Sequence, residues 1–155
     1  MNMKLTLTIL FVAATALHGQ TPAVIHLTPA KLLTAKAGST LKAGIPIEVD
    51  EGYHVNSNTP ADQFLIPLRL TWNPGPLESA GVAFPRPQLE KHSFSQKPVS
   101  VFTGSFEIVA RFRVPASAAP GPVIVAGKLH YQACNDTTCL TPKTIDVTLP
   151  VEVVK

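Results

Sequence analysis

The chain has 155 residues, with 13 Lys plus Arg against 10 Asp plus Glu, 15 prolines, 9 glycines and 2 cysteines. This is the length of one ordinary domain, and its scattered, nearly balanced charge argues against a nucleic-acid partner. The sequence also lacks a phosphate-cradling glycine loop and a Cys-x-x-Cys at a helix start, which excludes two common routes to chemistry.

The first residues read as a secretory signal. Lys4 supplies the positive end, residues 5–14 form a short apolar run, and Ala14-Thr15-Ala16 offers small residues for cleavage. Cleavage is expected after residue 16 or after Gly19, leaving one domain over residues 20–155. The apolar run is too short to span a bilayer comfortably, and no later segment is expected to cross one. A periplasmic or secreted location follows, where a disulfide persists. Both methionines, Met1 and Met3, leave with the signal. About 135 residues remain, enough to bury a core without covalent help.

Beyond the leader, helical periodicity is scarce and period-two alternation recurs. Leu41, Ala43, Ile45, Ile47 and Val49 alternate with polar or small residues, as do Leu68, Leu70 and Trp72. Phe106, Ile108, Ala110, Phe112 and Val114 form the clearest run, with Glu107, Arg111 and Arg113 on the other face. Val123, Val125, Leu129, Tyr131 and Ala133 follow, then Ile145, Val147, Leu149 and Val151. Strands with one buried face have this pattern. Turn signals separate them at residues 73–76 and 115–122. Seven to nine short strands with such breaks predict an all-β, immunoglobulin-like antiparallel β-sandwich, with a β-barrel as the alternative. Residues 85–98, PRPQLEKHSFSQKP, break the alternation and read as a long loop.

The two cysteines lie in HYQACNDTTCLTP, residues 130–142. The segment ending at Cys134 reads as a strand, Asn135-Asp136-Thr137-Thr138 as a turn, and Cys139 as the start of the return path. If that hairpin forms, Cys134 and Cys139 face each other at about 4.5–5.5 Å between Cα atoms, within the range disulfides accept. Three readings compete. As a staple the bond is poor, since closing a six-residue loop constrains the unfolded chain by only about 2 kcal/mol. As a metal site, His130, Cys134 and Cys139 with His54 or His92 would supply four ligands. Their spacing matches no common zinc pattern, however, and a mature chain without methionine rules out a thioether copper site. No metal or other cofactor is therefore expected. The third reading is a redox pair that opens and closes without unfolding the domain.

Three stretches bear on that choice. GYHVNSNTP (52–60), FLIPLRLTW (64–72) and YQACNDTTCLTP (131–142) together resemble the amino-terminal periplasmic domain of DsbD, the bacterial transmembrane thiol:disulfide reductase. The resemblance implies an immunoglobulin-like fold and a redox pair formed by Cys134 and Cys139. It implies thiol:disulfide interchange with thioredoxin-fold partners, in protein-disulfide reduction and cytochrome c biogenesis. Tyr131 matches the aromatic position before the pair, and Tyr53 lies in the flanking segment. Residues 85–98 match the region of the family's cap, an aromatic-bearing loop over the disulfide. Phe94, with Ser93, Ser95 and Gln96, is the best match, and Gln88, Leu89 and Glu90 are nearby candidates. A pair at a hairpin tip is expected to be exposed, so it would need such a cover. The chain given carries no membrane or thioredoxin-like domain, so a separate membrane electron donor is expected. The competing expectation is a non-catalytic extracytoplasmic binding module with a structural hairpin disulfide.

Overall fold

The computed structural model describes residues 23–155; the expected leader and its cleavage sites lie outside the described residues. No helix occurs among these residues, and none is therefore long and apolar enough to cross a membrane. The strands are β1 (Ile25–Leu27), β2 (Leu33–Lys36), β3 (Thr40–Val49), β4 (His54–Asn56), β5 (Arg69–Trp72), β6 (Glu78–Ala83), β7 (Gln88–Glu90), β8 (Val99–Phe102), β9 (Ser105–Arg113), β10 (Gly121–Tyr131), β11 (Ala133–Cys134) and β12 (Lys143–Val154).

Two four-stranded sheets form the sandwich. One has the order β1-β3-β9-β6, the other β2-β12-β10-β5. The long strands behave as their alternation predicts. In β3, Leu41, Ala43, Ile45, Ile47 and Val49 are all buried while their neighbours are exposed. Their partners across the β3–β9 ladder are buried in turn, with Ala43 opposite Ala110 and Ile45 opposite Ile108. The second sheet supplies Val125, Leu129, Val147, Leu149 and Val151 to the same core. Each such side chain contributes about 1.5–3 kcal/mol by leaving water. Trp72 of β5 meets Phe112 of β9 edge-on, ring centroids 5.0 Å apart, which joins the two layers. Gly127 makes room for that indole, since a Cβ there would lie 2.6 Å from Trp72 Cε3. One pair departs from the antiparallel rule: β2 runs parallel to β12.

The described strands number twelve rather than seven to nine. The excess is largely a third sheet of short strands, order β11-β4-β8-β7, that carries the cysteine pair. Phe102 of β8 ties it to the sandwich by stacking on Phe106 of β9 at 4.8 Å. Two expectations need correction here. Residues 85–98 are not wholly loop, because β7 lies inside them and pairs with β8 through Gln88–Val101, Leu89–Ser100 and Glu90–Val99. Gln88 and Leu89 are both exposed, so no alternation marks this strand. Nor does one strand run through residue 134. β10 ends at Tyr131, and after Gln132 the chain joins the third sheet, where Ala133 pairs with Val55 and Cys134 with His54.

Candidate functional site

The site is built where the chain changes sheets. Gln132 makes that change possible by satisfying polar groups the ladder would otherwise leave unpaired. Its Oε1 accepts from the Ile66 N–H and from Asn56 Nδ2, both at 3.3 Å, and its Nε2 donates to the Leu140 carbonyl at 3.3 Å. Asn56 Nδ2 also donates to the Ile66 carbonyl at 3.0 Å. Together, Gln132 and Asn56 fix the start of β11 against the 64–68 segment.

The hairpin that follows agrees with the turn chemistry of its sequence. Asn135 Oδ1 accepts from the N–H groups of Thr137 (3.0 Å) and Thr138 (2.9 Å), and the Asn135 N–H donates to the Thr138 carbonyl at 2.9 Å. Cys134 and Cys139 thereby face each other across an antiparallel bridge, and their sulfurs are bonded at 2.02 Å. Their Cα atoms are 3.9 Å apart, closer than an ordinary facing pair. The leading metal alternative falls for this state, since both thiols are engaged with each other.

The pair is less exposed than a hairpin tip suggests. Cys134 is fully buried and Cys139 half-buried. β4 lies alongside Cys134, and the loop between β7 and β8 docks on the hairpin at Asp136. On β4, His54 sits directly opposite Cys134, on the same face by the pairing rule of antiparallel strands. His92, from the loop, stacks on His54 with centroids 4.0 Å apart and planes at 22°. Phe94 lies against His92 at 5.3 Å, nearly parallel at 4°, and 6.1 Å from His54. The three rings thus form a compact cluster on the strand beside Cys134. Phe94 is half-buried and lies outside the apolar core.

Polar contacts dock this loop onto the hairpin. Ser93 Oγ donates to the Asp136 carbonyl, and His92 Nδ1 lies 3.3 Å from Asp136 Oδ1. The Ser95 N–H donates to the His92 carbonyl at 3.2 Å, which turns the loop, and Ser95 Oγ donates to the Lys97 carbonyl at 2.8 Å. Gln96 is exposed and makes no hydrogen bond among those found in the described residues. Beside Phe94 opens a groove of about 600 Å³ between residues 61–65 and 94–99, rimmed by Phe64, which is 81% exposed.

The other expected residues lie elsewhere. Tyr53 is half-buried and packs on the core. Tyr131 is 2% exposed, with a buried hydroxyl that has no hydrogen-bond partner, so it faces the interior and no partner surface. Burial raises the pKa of its hydroxyl. By sequence His54 stands out only as a spare metal ligand, yet it is the most deeply buried of the three rings. Burial, then repulsion from His92, lowers its pKa to about 4, with Asp136 opposing. Its ring is therefore neutral near pH 7. The signal for this role was present in the sequence only as two histidines and a phenylalanine in separate polar stretches.

Comparisons with known proteins bear on this arrangement. Residues 22–150 match the family described as thiol:disulfide interchange protein DsbD, N-terminal. No curated protein matches the chain. Among solved structures, the N-terminal periplasmic domain of ScsB from Proteus mirabilis is similar in fold, with a TM-score of 0.53 at 9% identity. That match covers 83% of this chain and 44% of the ScsB chain, so this chain spans less than half the length of that relative. The reduced N-terminal domain of DsbD from Neisseria meningitidis aligns at 16% identity and a TM-score of 0.47, over 70% of this chain and 76% of its own. With 22–150 matched along most of its length, the chain belongs to the family of DsbD amino-terminal domains.

Proposed function

We propose that this chain is an extracytoplasmic thiol:disulfide exchange module, passing electrons between the Cys134–Cys139 pair and a thioredoxin-fold partner. The observation that carries this reading is the asymmetry of the bonded pair: Cys134 is fully buried and Cys139 is the more exposed of the two. Membership of the DsbD family supports it, as does the small loop that the bond closes. A periplasmic or secreted location is part of the same reading. It rests on the leader-like first residues and on the periplasmic description of the ScsB relative.

In the direction that reduces this chain, a partner thiolate attacks Cys139 Sγ. The Cys134–Cys139 bond breaks, Cys134 leaves as a thiolate, and a mixed disulfide joins Cys139 to the partner. The partner's second thiolate then attacks its own sulfur in that bond and releases Cys139. Two electrons enter the pair, and the partner leaves oxidised. The reverse sequence passes them on. A membrane-embedded donor would be the ultimate electron source.

The test uses single-cysteine variants and a thioredoxin-fold protein whose resolving cysteine is replaced by alanine and whose remaining cysteine is held as a mixed disulfide with thionitrobenzoate, which leaves when a free thiol attacks. Cys134→Ser leaves the more exposed Cys139 free and is expected to trap a mixed disulfide. Cys139→Ser leaves only the buried thiol and is expected to trap far less. Equal trapping by both, or trapping by neither, would contradict the proposal.

A further inference from the structure

The ring cluster brings together groups that the exchange reaction does not use. His54, Glu90 and His92 each offer one ligand atom, and the three atoms lie within 4.8 Å of one another. His54 and His92 are 2% and 7% exposed. The Nε2 atoms of both rings are buried without a hydrogen-bond partner. His92 Nε2 lies 3.3 Å from Glu90 Oε2, close enough for an ion pair but not directed as a hydrogen bond. Native interiors seldom leave such nitrogens unpaired, and two in contact need an explanation.

From this geometry we infer a binding site for a zinc-class divalent cation, held by His54, Glu90 and His92. A tetrahedral centre with bonds of about 2.0–2.2 Å needs ligand atoms about 3.3 Å apart. The His92–Glu90 pair already has that separation. Only His54 must close in, by a small splay of the two stacked rings. The donor set suits zinc, which takes imidazole and carboxylate together.

A further feature points the same way. His92 Nδ1, the nitrogen away from Glu90, sits 3.3 Å from Asp136 Oδ1. A carboxylate on the far nitrogen fixes the tautomer and aims the other nitrogen at a metal. Asp136 is a positioning residue here. It belongs to the hairpin between the cysteines, so the metal would link the loop to the redox element.

The fourth position connects occupancy to redox state. Cys134 is the cross-strand neighbour of His54. While it is bonded to Cys139 its sulfur is a poor ligand. On reduction its thiol gives up a proton to solvent and becomes a thiolate on the strand opposite His54, from which it must draw in to the three other ligands. The cation then binds the reduced form more tightly and stabilises it; each tenfold preference raises the midpoint potential by about 30 mV. That consequence rests on the exchange reading, whereas the site itself does not.

Zinc is titrated into the metal-free oxidised protein against a chromophoric chelator, with thermal melts to confirm folding. One equivalent is expected to bind. Asp136→Ala, at an exposed turn position, is expected to weaken binding 10- to 100-fold. Glu90→Gln and His92→Ala are each expected to weaken it at least tenfold, and His130→Ala to leave it unchanged. Glu90 is partly exposed, so Glu90→Gln keeps the test valid if His92→Ala does not fold. Absence of binding, or equal affinity in all variants, overturns the site. For the fourth ligand, Cys139→Ser is compared with Cys134→Ser. The first, with a free Cys134 thiol, is expected to bind at least tenfold more tightly; equal affinities overturn the role of Cys134. Neither arm requires a redox partner, so failure of exchange and failure of the metal site are separable.

Discussion

Phe94→Ala separates a cover from a core residue. In the structure the ring lies on His92 at 5.3 Å and 4°, and within 6.1 Å of His54. A ring pair of this kind contributes about 0.5–1.5 kcal/mol beyond the area it buries. If that contact helps hold the loop shut, losing it raises the open population by about two- to twelvefold. Reduction of Cys134–Cys139 by dithiothreitol requires approach to a sulfur, so its rate should rise by the same factor when opening precedes attack. Global stability should change by only about 1 kcal/mol, because Phe94 lies outside the core. Stopped-flow reduction and urea melts of the two proteins measure both quantities. Phe112→Ala calibrates the other extreme: that ring is fully buried, and its loss should cost about 3–5 kcal/mol. A Phe94→Ala protein that loses several kcal/mol while reducing at the wild-type rate would refute the cover.

Three further outcomes are expected. Reduced protein should still melt cooperatively, losing only about 2 kcal/mol, since the bond closes a six-residue loop within a domain that has its own core; loss of the cooperative transition would make the bond a staple. Stability should depend on pH through His54. Its folded pKa of about 4 lies below the ordinary 6.5, so the unfolded chain takes up the proton first on acidification. The contribution is full above about pH 6.5 and fades toward pH 4, by at most about 3 kcal/mol. Urea melts of metal-free wild type and His54→Gln at pH 7.5, 5.5 and 4 should show that extra slope in wild type only, and parallel curves would exclude it. Gln132→Ala should destabilise by about 1–3 kcal/mol, because it strips partners from the Ile66 N–H and the Leu140 carbonyl; a neutral effect in a melt would show that the switch between sheets does not depend on this side chain.

How much was legible depended on whether a strand buries one face or two. β3 and β9 each show one face to the core and one to solvent, so their alternation could be read directly. β4 and β8 are buried on both faces over three and four residues, and HVN and VSVF carry no period to detect. The third sheet, and with it the seat of the disulfide, was therefore invisible. The turn at Asn135 was readable because its side chain acts locally, on Thr137 and Thr138. The ring cluster beside Cys134 was not, because His54 and His92 meet through tertiary contact across 37 intervening positions and neither belongs to an apolar pattern. Phe94 stood out for an identifiable reason: a large apolar ring in a polar stretch needs something to cover or be covered by.

The most direct test of the exchange account is the equilibrium reduction potential of Cys134–Cys139, measured in a glutathione series with metal chelated. An exchangeable pair is expected above about −300 mV, within reach of thioredoxin-fold partners. A potential well below that value, with no exchange in the presence of such a partner, would make the bond structural and contradict the account.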